Sequence, residues 1–157
     1  MPWRSLLLGR ETARRGWRRM MSGRCRCGRV VWRASASPFR SVLCHCADCR
    51  RSAGASPVGY LGFPKPVVRW TARRAFRATS PGVTRGACPD CGTLLSYMCT
   101  IWPGELYLHA ATLDDPAGFV PEAHLHRAAR DVDGAARCDG PSLHERGRAP
   151  DLRGHRP

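Results

Sequence analysis

Three things are absent or scarce in this 157-residue chain: it has no Asn and no Gln, Lys65 is its only lysine, and it has no long apolar run. The first two features, beside abundant Arg, indicate a genome rich in GC codons. The formal net charge of +14 is therefore weak evidence for a nucleic-acid partner. The missing apolar run excludes a membrane-spanning helix, which needs about 20 apolar residues. We expect a cytoplasmic protein without a membrane partner.

The positive charge is spread over the whole chain. Residues 1–22 carry six Arg against Glu11, residues 127–157 carry seven Arg against five acids, and residues 23–126 hold the remaining +7. If seven thiolates of the middle segment bind two Zn²⁺ ions, its charge falls by three, to +4. A domain of that charge requires no polyanion, so nucleic acid is not an expected partner.

Seven of the nine cysteines fall into three close groups. The groups are Cys25-Arg-Cys27-Gly28, Cys44-His-Cys46-Ala-Asp-Cys49 and Cys88-Pro-Asp-Cys91-Gly92. A disulfide scaffold is typically shorter and lacks C-x-C and C-x2-C clusters, so the spacing favours zinc over disulfides. Cys99 and Cys138 fit no ligand spacing and are expected to be ordinary core or surface thiols.

The two outer pairs together supply four thiolates, which is the complete ligand set of a structural zinc site. A Gly after each pair removes a Cβ where the backbone must turn tightly around the metal. The predicted structural ligands are Cys25, Cys27, Cys88 and Cys91.

The central group has three thiols and no fourth Cys nearby. Catalytic zinc sites usually keep three protein ligands and leave the fourth position to water or substrate. We predict that Cys44, Cys46 and Cys49 hold a second, catalytic zinc ion. Three histidines, His45, His109 and His124, are alternative fourth ligands. His45 lies between two ligands and is poorly placed, His124 is the better candidate, and a packing or surface role is the simpler interpretation for it.

Short apolar runs alternate with Gly and Pro and none has a long helical period, which predicts a mainly β architecture of about seven strands. The predicted strands are 30–32, 39–43, 58–63, 67–70, 76–79, 93–97 and 105–109. The last alternates polar and apolar residues, as a half-buried strand does. Residues 50–55 fit either a helical turn or an open loop. Asp114-Asp115-Pro116 indicates a turn rather than an acid/base pair.

We divide the chain into three segments. Residues 1–22 form a non-domain extension, either a start codon assigned too early, with Met20 or Met21 as the true start, or a targeting segment. Residues 23–126 form the zinc domain. Residues 127–157 contain few large apolar residues and are predicted to be a disordered tail.

With these motifs in place, the sequence resembles the GFA family, named for glutathione-dependent formaldehyde-activating enzymes, which also includes centromere protein V-like members. The resemblance covers about residues 23–126, and its motifs occur in the family's order. The matching pieces are Cys25-Arg-Cys-Gly, Cys44-His-Cys-Ala-Asp-Cys-Arg, Ser52-Ala-Gly-Ala, Gly59-Tyr-Leu-Gly-Phe, Cys88-Pro-Asp-Cys-Gly-Thr, Thr112-Leu-Asp-Asp-Pro and Pro121-Glu-Ala-His.

The resemblance implies a β-tent, a zinc-binding fold of short strands around two zinc sites, with the same division of the seven cysteines into structural and catalytic ligands. It also implies carbon-sulfur lyase chemistry that joins a small thiol such as glutathione to a small aldehyde such as formaldehyde. As a hypothesis, the thiol occupies the vacant position on the three-cysteine zinc, loses its proton there and attacks the aldehyde carbon to give a hemithioacetal.

A zinc-stapled binding module for nucleic acid or protein is the alternative function. The candidate residues are the Arg pairs Arg50-Arg51 and Arg73-Arg74, with the aromatic residues Trp70 and Phe76. Such residues can bind phosphate and stack on bases. A redox role for the cysteine pairs is disfavoured, because no thioredoxin-like βαβ pattern surrounds them.

Overall fold

The computed structural model of the protein describes residues 20–127, and the predicted mainly β fold is confirmed. The strands are β1 Met21–Arg24, β2 Val31–Ala34, β3 Arg40–Cys44, β4 Val58–Pro64, β5 Val68–Trp70, β6 Ala75–Ser80, β7 Val83–Ala87, β8 Leu94–Cys99, β9 Glu105–His109 and β10 Ala123–Leu125. Within the described residues the α-helix, α1, spans Ala47–Ala53, and 3₁₀ turns cover Lys65–Val67, Ala110–Thr112 and Pro116–Gly118.

The strands form two sheets. A three-stranded sheet has the order β1-β2-β5, and a seven-stranded sheet has the order β10-β3-β4-β9-β8-β7-β6. Neighbouring strands are antiparallel except β10 and β3, which run parallel. The large sheet therefore has β4, β9 and β8 at its centre, and the small sheet adds the N-terminal strands of the domain.

The two faces of the large sheet carry two separate hydrophobic cores. Side chains alternate along β4, so Leu61 and Phe63 enter one core while Val58 and Tyr60 enter the other. The first core also contains Cys25 and Cys88. The second contains Cys44 and Cys49. The two cysteine clusters are thus anchored in different cores.

All seven predicted strand runs overlap observed strands, but β1, β7 and β10 were missed. The helical alternative for residues 50–55 is the observed one, since α1 runs to Ala53 and Gly54 caps it with a positive φ. The half-buried interpretation of β9 was wrong. Leu106 to His109 are all buried because β9 lies inside the large sheet with both faces covered.

The segment boundaries stay predictions. β1 begins at Met21, two residues before the predicted domain start, and pairs with β2. The expectations for the N-terminal extension before residue 20, for the C-terminal tail after residue 127 and for Cys138 fall outside the described residues.

Gly23 provides a test of how β1 is held. A Cβ built on Gly23 would lie 2.3 Å from the carbonyl oxygen of Thr112 and 2.5 Å from the indole ring of Trp32. Because neither neighbour is the flexible end of a side chain, we expect Gly23→Ala to lower the free energy of unfolding by about 1–3 kcal/mol.

The measurement is urea denaturation of the full chain, with Gly104→Ala as the matched control. A Cβ on Gly104 meets open space, so that variant should stay within about 0.5 kcal/mol of wild type. Equal stabilities of the two variants would contradict the close packing at Gly23.

Candidate metal centres

The two outer cysteine pairs meet in one cluster. The Sγ atoms of Cys25, Cys27, Cys88 and Cys91 all lie within 4.8 Å of one another. Cys27 Sγ is 3.4 Å from Cys25 Sγ and 3.7 Å from Cys88 Sγ. Cys25 and Cys88 are buried, Cys91 is half-buried and Cys27 is exposed. This four-thiol cluster therefore lies at the edge of the first core.

Each pair sits on a tight turn that ends in a glycine. Gly28 has φ 79° and Gly92 has φ 71°, a region that favours glycine, as the sequence indicated. Their amides donate to the carbonyls of Cys25 and Cys88 at 2.9 and 3.0 Å. Thr93 connects the two turns, because its Oγ1 lies 3.2 Å from Cys91 Sγ and accepts a hydrogen bond from the amide of Arg26 at 3.1 Å.

The three central thiols form the second cluster. The Sγ atoms of Cys44, Cys46 and Cys49 lie within 4.8 Å of one another, and Cys44 Sγ is 3.6 Å from Cys46 Sγ. Cys44 ends β3, Cys46 is the N-cap of α1 and Cys49 lies in its first turn. The Cys46 sulfur accepts a hydrogen bond from the amide of Cys49 at 3.3 Å. A strand end and a helix start thus bring this three-thiol cluster together.

The spacing of both clusters suits a metal ion. Zinc-sulfur bonds are about 2.3 Å long, so tetrahedral geometry places two bound sulfurs about 3.8 Å apart. The measured sulfur-sulfur distances of 3.4 to 3.7 Å are close to this value. None of the eight cysteines in residues 20–127 forms a disulfide. Both clusters could hold a metal ion, and their all-sulfur donors are consistent with zinc.

The histidines considered as fourth ligands do not belong to the three-thiol cluster, as far as residues 20–127 are concerned. His45 and His124 are both buried, and His45 Nε2 lies 2.8 Å from His124 Nδ1 with the two rings stacked. His124 lies on β10, which runs alongside β3. The pair therefore links His45, which lies between Cys44 and Cys46, to β10. His45 was expected to be poorly placed as a zinc ligand, and it points to His124 instead.

A buried cation lies next to the three-thiol cluster. Only 1% of the Arg85 side chain is exposed, and its Nη2 lies 2.6 Å from Asp48 Oδ2 and 3.9 Å from Cys49 Sγ. Its second terminal nitrogen, Nη1, donates to Thr79. Asp48 also accepts a hydrogen bond from Ser80 at 2.9 Å. The positive charge of Arg85 is thus placed where thiolates would accumulate negative charge.

Tyr60 adds a second donor to the same sulfur. Its hydroxyl lies 3.5 Å from Cys49 Sγ, and burial followed by the nearby Cys49 raises the pKa of Tyr60 far above its usual value. Tyr60 therefore stays protonated and donates. Hydrogen bonds from Cys44 and Cys49 lower the pKa of Cys46 below its usual value.

Arg85 was missed at the sequence level for a definable reason. It lies two residues after buried Val83 and on the same face of β7, so it occupies a core-facing position of a strand that was not predicted from the sequence. In a chain with 26 Lys and Arg residues, one further Arg gives little signal. The clue in the sequence was the run Val83-Thr84-Arg85, because in a strand Arg85 lies on the same face as the apolar Val83.

Other sequence expectations are met structurally. Cys99 is buried and forms no disulfide. Asp114 accepts hydrogen bonds from Ser22 and Arg24, and Asp115 caps a 3₁₀ turn through the amide of Ala117. The Asp-Asp pair is therefore a turn, as predicted.

The aromatic residues of the alternative nucleic-acid surface are already in contact with an arginine. The guanidinium of Arg74 lies 3.8 Å from the ring centre of Trp70 and 4.9 Å from that of Phe76. These intramolecular cation-π contacts compete with base stacking. Within residues 20–127, none of the helices has the length and hydrophobicity needed to cross a bilayer.

His109 gives a pH-dependent prediction. Burial, and then the charge of Arg85, lowers the pKa of His109 to about 4. The unfolded chain takes up this proton near pH 6.5, so the unfolded state binds more protons between pH 6.5 and 4 and stability falls as the pH falls.

We expect this residue to account for about 3 kcal/mol of that loss. His109→Gln should therefore lose less stability over this range than wild type, as measured by urea denaturation at pH 7, 5.5 and 4. Acid removes metal from both proteins alike, so the difference between them reports His109. Identical slopes would contradict burial of a neutral His109.

Arg85 gives a prediction about metal affinity. Removing a group that contacts a metal ligand typically weakens metal binding about 10–100-fold. We expect this loss in Arg85→Met at the three-thiol cluster, measured by competition with a chelator, with Co²⁺ absorption as the probe. Arg77→Met is the matched control, because Arg77 pairs with Arg85 in register but is exposed on β6. A folded Arg85→Met protein with wild-type affinity would refute the role.

Comparison with known proteins agrees with the fold. A crystal structure of a Rhodobacter sphaeroides protein, a structural-genomics target, matches with a TM-score of 0.51 and 22% identity, covering 64% of this chain and 98% of that one. At this identity the likeness concerns the fold alone. No match was found among curated proteins.

The family model described as glutathione-dependent formaldehyde-activating enzyme, GFA, matches residues 20–129, well over half of the sequence. It spans both cysteine clusters, α1 and all ten described strands. The resemblance noted from the sequence motifs is thereby confirmed, and the chain belongs to the GFA family.

Proposed function

We propose that the protein is a zinc-dependent carbon-sulfur lyase that joins or cleaves a small thiol, such as glutathione, and a small aldehyde, such as formaldehyde. In the joining direction a carbon-sulfur bond forms between the thiol sulfur and the aldehyde carbon. The thiol proton ends on the former carbonyl oxygen, so the product is a hemithioacetal and nothing is oxidised or reduced. Membership of the GFA family supports this reaction class.

One observation carries the proposal: the two clusters differ in their number of donors. The four-thiol cluster supplies a complete tetrahedral set, whereas the other supplies three sulfurs and, within residues 20–127, no His, Asp, Glu or further Cys joins them. Three protein ligands are typical of catalytic zinc and four of structural zinc. This contrast supports Cys25, Cys27, Cys88 and Cys91 as structural ligands and Cys44, Cys46 and Cys49 as catalytic ones.

When bound at the three-thiol cluster, zinc would supply the acidity that deprotonates a coordinating thiol at neutral pH. Three thiolates and one Zn²⁺ carry a net charge of −1, which must be compensated in a buried site. Arg85, which also pairs with Asp48, and Tyr60 direct a guanidinium and a hydroxyl at Cys49 Sγ and stabilise its negative charge. Both contacts would weaken electron donation from the Cys49 sulfur to zinc. The zinc would then remain able to bind a thiol.

The remaining residues of the site hold the ligands in place. The His45–His124 pair fixes the backbone between Cys44 and Cys46 against β10. The pairing of Asp48 with Arg85 fixes the first turn of α1, and with it Cys49, against β7. The cluster is therefore held from two sides.

The test is the rate at which free thiol disappears when zinc-loaded protein is mixed with glutathione and formaldehyde. We expect acceleration over the uncatalysed reaction. In Cys46→Ser the bound zinc should fall from two ions to one and the acceleration should be lost. A serine can still cap α1, so the fold should be retained, as checked by circular dichroism.

Cys99→Ala is the matched control, since it removes a buried thiol that belongs to neither cluster. It should keep both zinc ions and the full rate. Absence of acceleration with several thiols and aldehydes, or full activity of Cys46→Ser, would overturn the proposal and leave the binding-module alternative.

A further inference from the structure

The four-thiol cluster is the more accessible of the two clusters. Cys27 is exposed, and Cys91 is half-buried and lines a cleft of about 450 Å³ between the α1–β4 segment and its own loop. In the three-thiol cluster, Cys44 and Cys49 are only 3% and 6% exposed, and Cys46 is half-buried. Of the seven clustered cysteines, Cys27 is therefore the one that a small molecule in solution reaches most easily.

This exposure matters because zinc holds its sulfur ligands as thiolates. The thiolate is the reactive form of cysteine, and oxidation by peroxides follows thiolate character and exposure. Two other sulfurs of the four-thiol cluster are shielded, since Cys25 and Cys88 are 1% and 2% exposed. The conditions for oxidation thus coincide at Cys27.

Two thiols that can complete an oxidation lie next to Cys27. Its Sγ is 3.4 Å from Cys25 Sγ and 3.7 Å from Cys88 Sγ. A disulfide bond is about 2.05 Å long, so one pair of sulfurs would have to approach by about 1.5 Å. An exposed thiolate beside a second thiol is the arrangement of redox-sensing cysteines.

Contacts that need no metal also join the two cysteine turns. Arg29 forms an ion pair with Asp90 at 2.8 Å, and the amide of Arg26 donates to Thr93 Oγ1 at 3.1 Å. Both turns also contribute a cysteine to the first core. We therefore expect the turns to stay adjacent when a metal leaves, so that a disulfide can form without unfolding the domain.

We propose that Cys27 is an oxidative modification site, and that its reaction with hydrogen peroxide opens the four-thiol cluster and releases its zinc. The Cys27 sulfur attacks one peroxide oxygen, the O–O bond breaks, and a sulfenic acid and one water form. The thiol of Cys25 or Cys88 then attacks the oxidised sulfur, giving a disulfide and a second water. Two thiols are thus oxidised by two electrons and one peroxide is reduced to two waters.

The metal is lost because two thiolates remain where four were needed. The proposal does not depend on the lyase function, since it concerns the structural ligands and is measured without any thiol-aldehyde reaction.

The test mixes the zinc-loaded full chain with equimolar hydrogen peroxide and follows zinc release with a coloured chelator. Free thiols are then alkylated, and disulfides are located by mass spectrometry of peptides. We expect the first zinc to leave together with formation of a disulfide from Cys27 to Cys25 or Cys88, while the three-thiol cysteines are recovered as free thiols. Dithiothreitol and added zinc should restore the lost ion. A first disulfide within the three-thiol cluster, or zinc release with Cys27 still reduced, would overturn the proposal.

Two matched substitutions test the position. Cys27→His removes the exposed thiol but keeps a ligand, because zinc also accepts three Cys and one His. It should retain both zinc ions and release the ion of the four-thiol cluster about tenfold more slowly under peroxide. Cys91→His makes the same exchange at the half-buried position and should react at the wild-type rate, because Cys27 is intact.

Equal release rates in these two variants would refute the assignment to Cys27. Peptide mapping of the wild-type chain decides the proposal if either variant fails to bind zinc.

Discussion

Sulfur atoms that repel each other as thiolates must be held within a few ångströms, and the rest of this structure serves that constraint. The seven clustered cysteines lie within 4.8 Å of their partners in two groups. Such crowding of ionised groups is unfavourable unless a cation compensates it. The large sheet keeps the two groups apart by anchoring each in a different core, on opposite faces of β4. Neither cluster then adds its negative charge to the other.

The clusters differ in how far along the chain they reach. The four-thiol cluster joins Cys27 to Cys88, 61 residues apart, so a metal there closes a long loop and restricts the unfolded chain. The three-thiol cluster lies within residues 44–49 and closes no such loop. A metal bound within six residues therefore restricts the unfolded chain little. This agrees with a chemical role for the three-thiol cluster and a structural role for the four-thiol cluster.

Buried polar contacts from several strands surround the three-thiol cluster. Cys49 Sγ is approached by Tyr60 and Arg85, from β4 and β7, while Asp48 next to it on α1 binds Arg85. His45, between the other two cysteines, pairs with His124 of β10. Three strands thus converge on the segment from Cys44 to Cys49, and His109 of β9 packs against Tyr60. The resulting site combines three sulfur donors with a buried guanidinium.

The sequence by itself determined the mainly β class, the two groups of cysteines and the family, because metal-ligand spacing and period-two strands are local patterns. Tertiary structure alone decided three things: which core each cluster occupies, that Arg85 is buried beside Cys49, and that His45 and His124 pair. It also decided that both faces of β9 are covered. These contacts join residues up to 79 positions apart, and a local pattern holds no information about such distant partners. Arg85 shows the difference most clearly, since its chemistry is visible in the sequence but its burial depends on sheet topology.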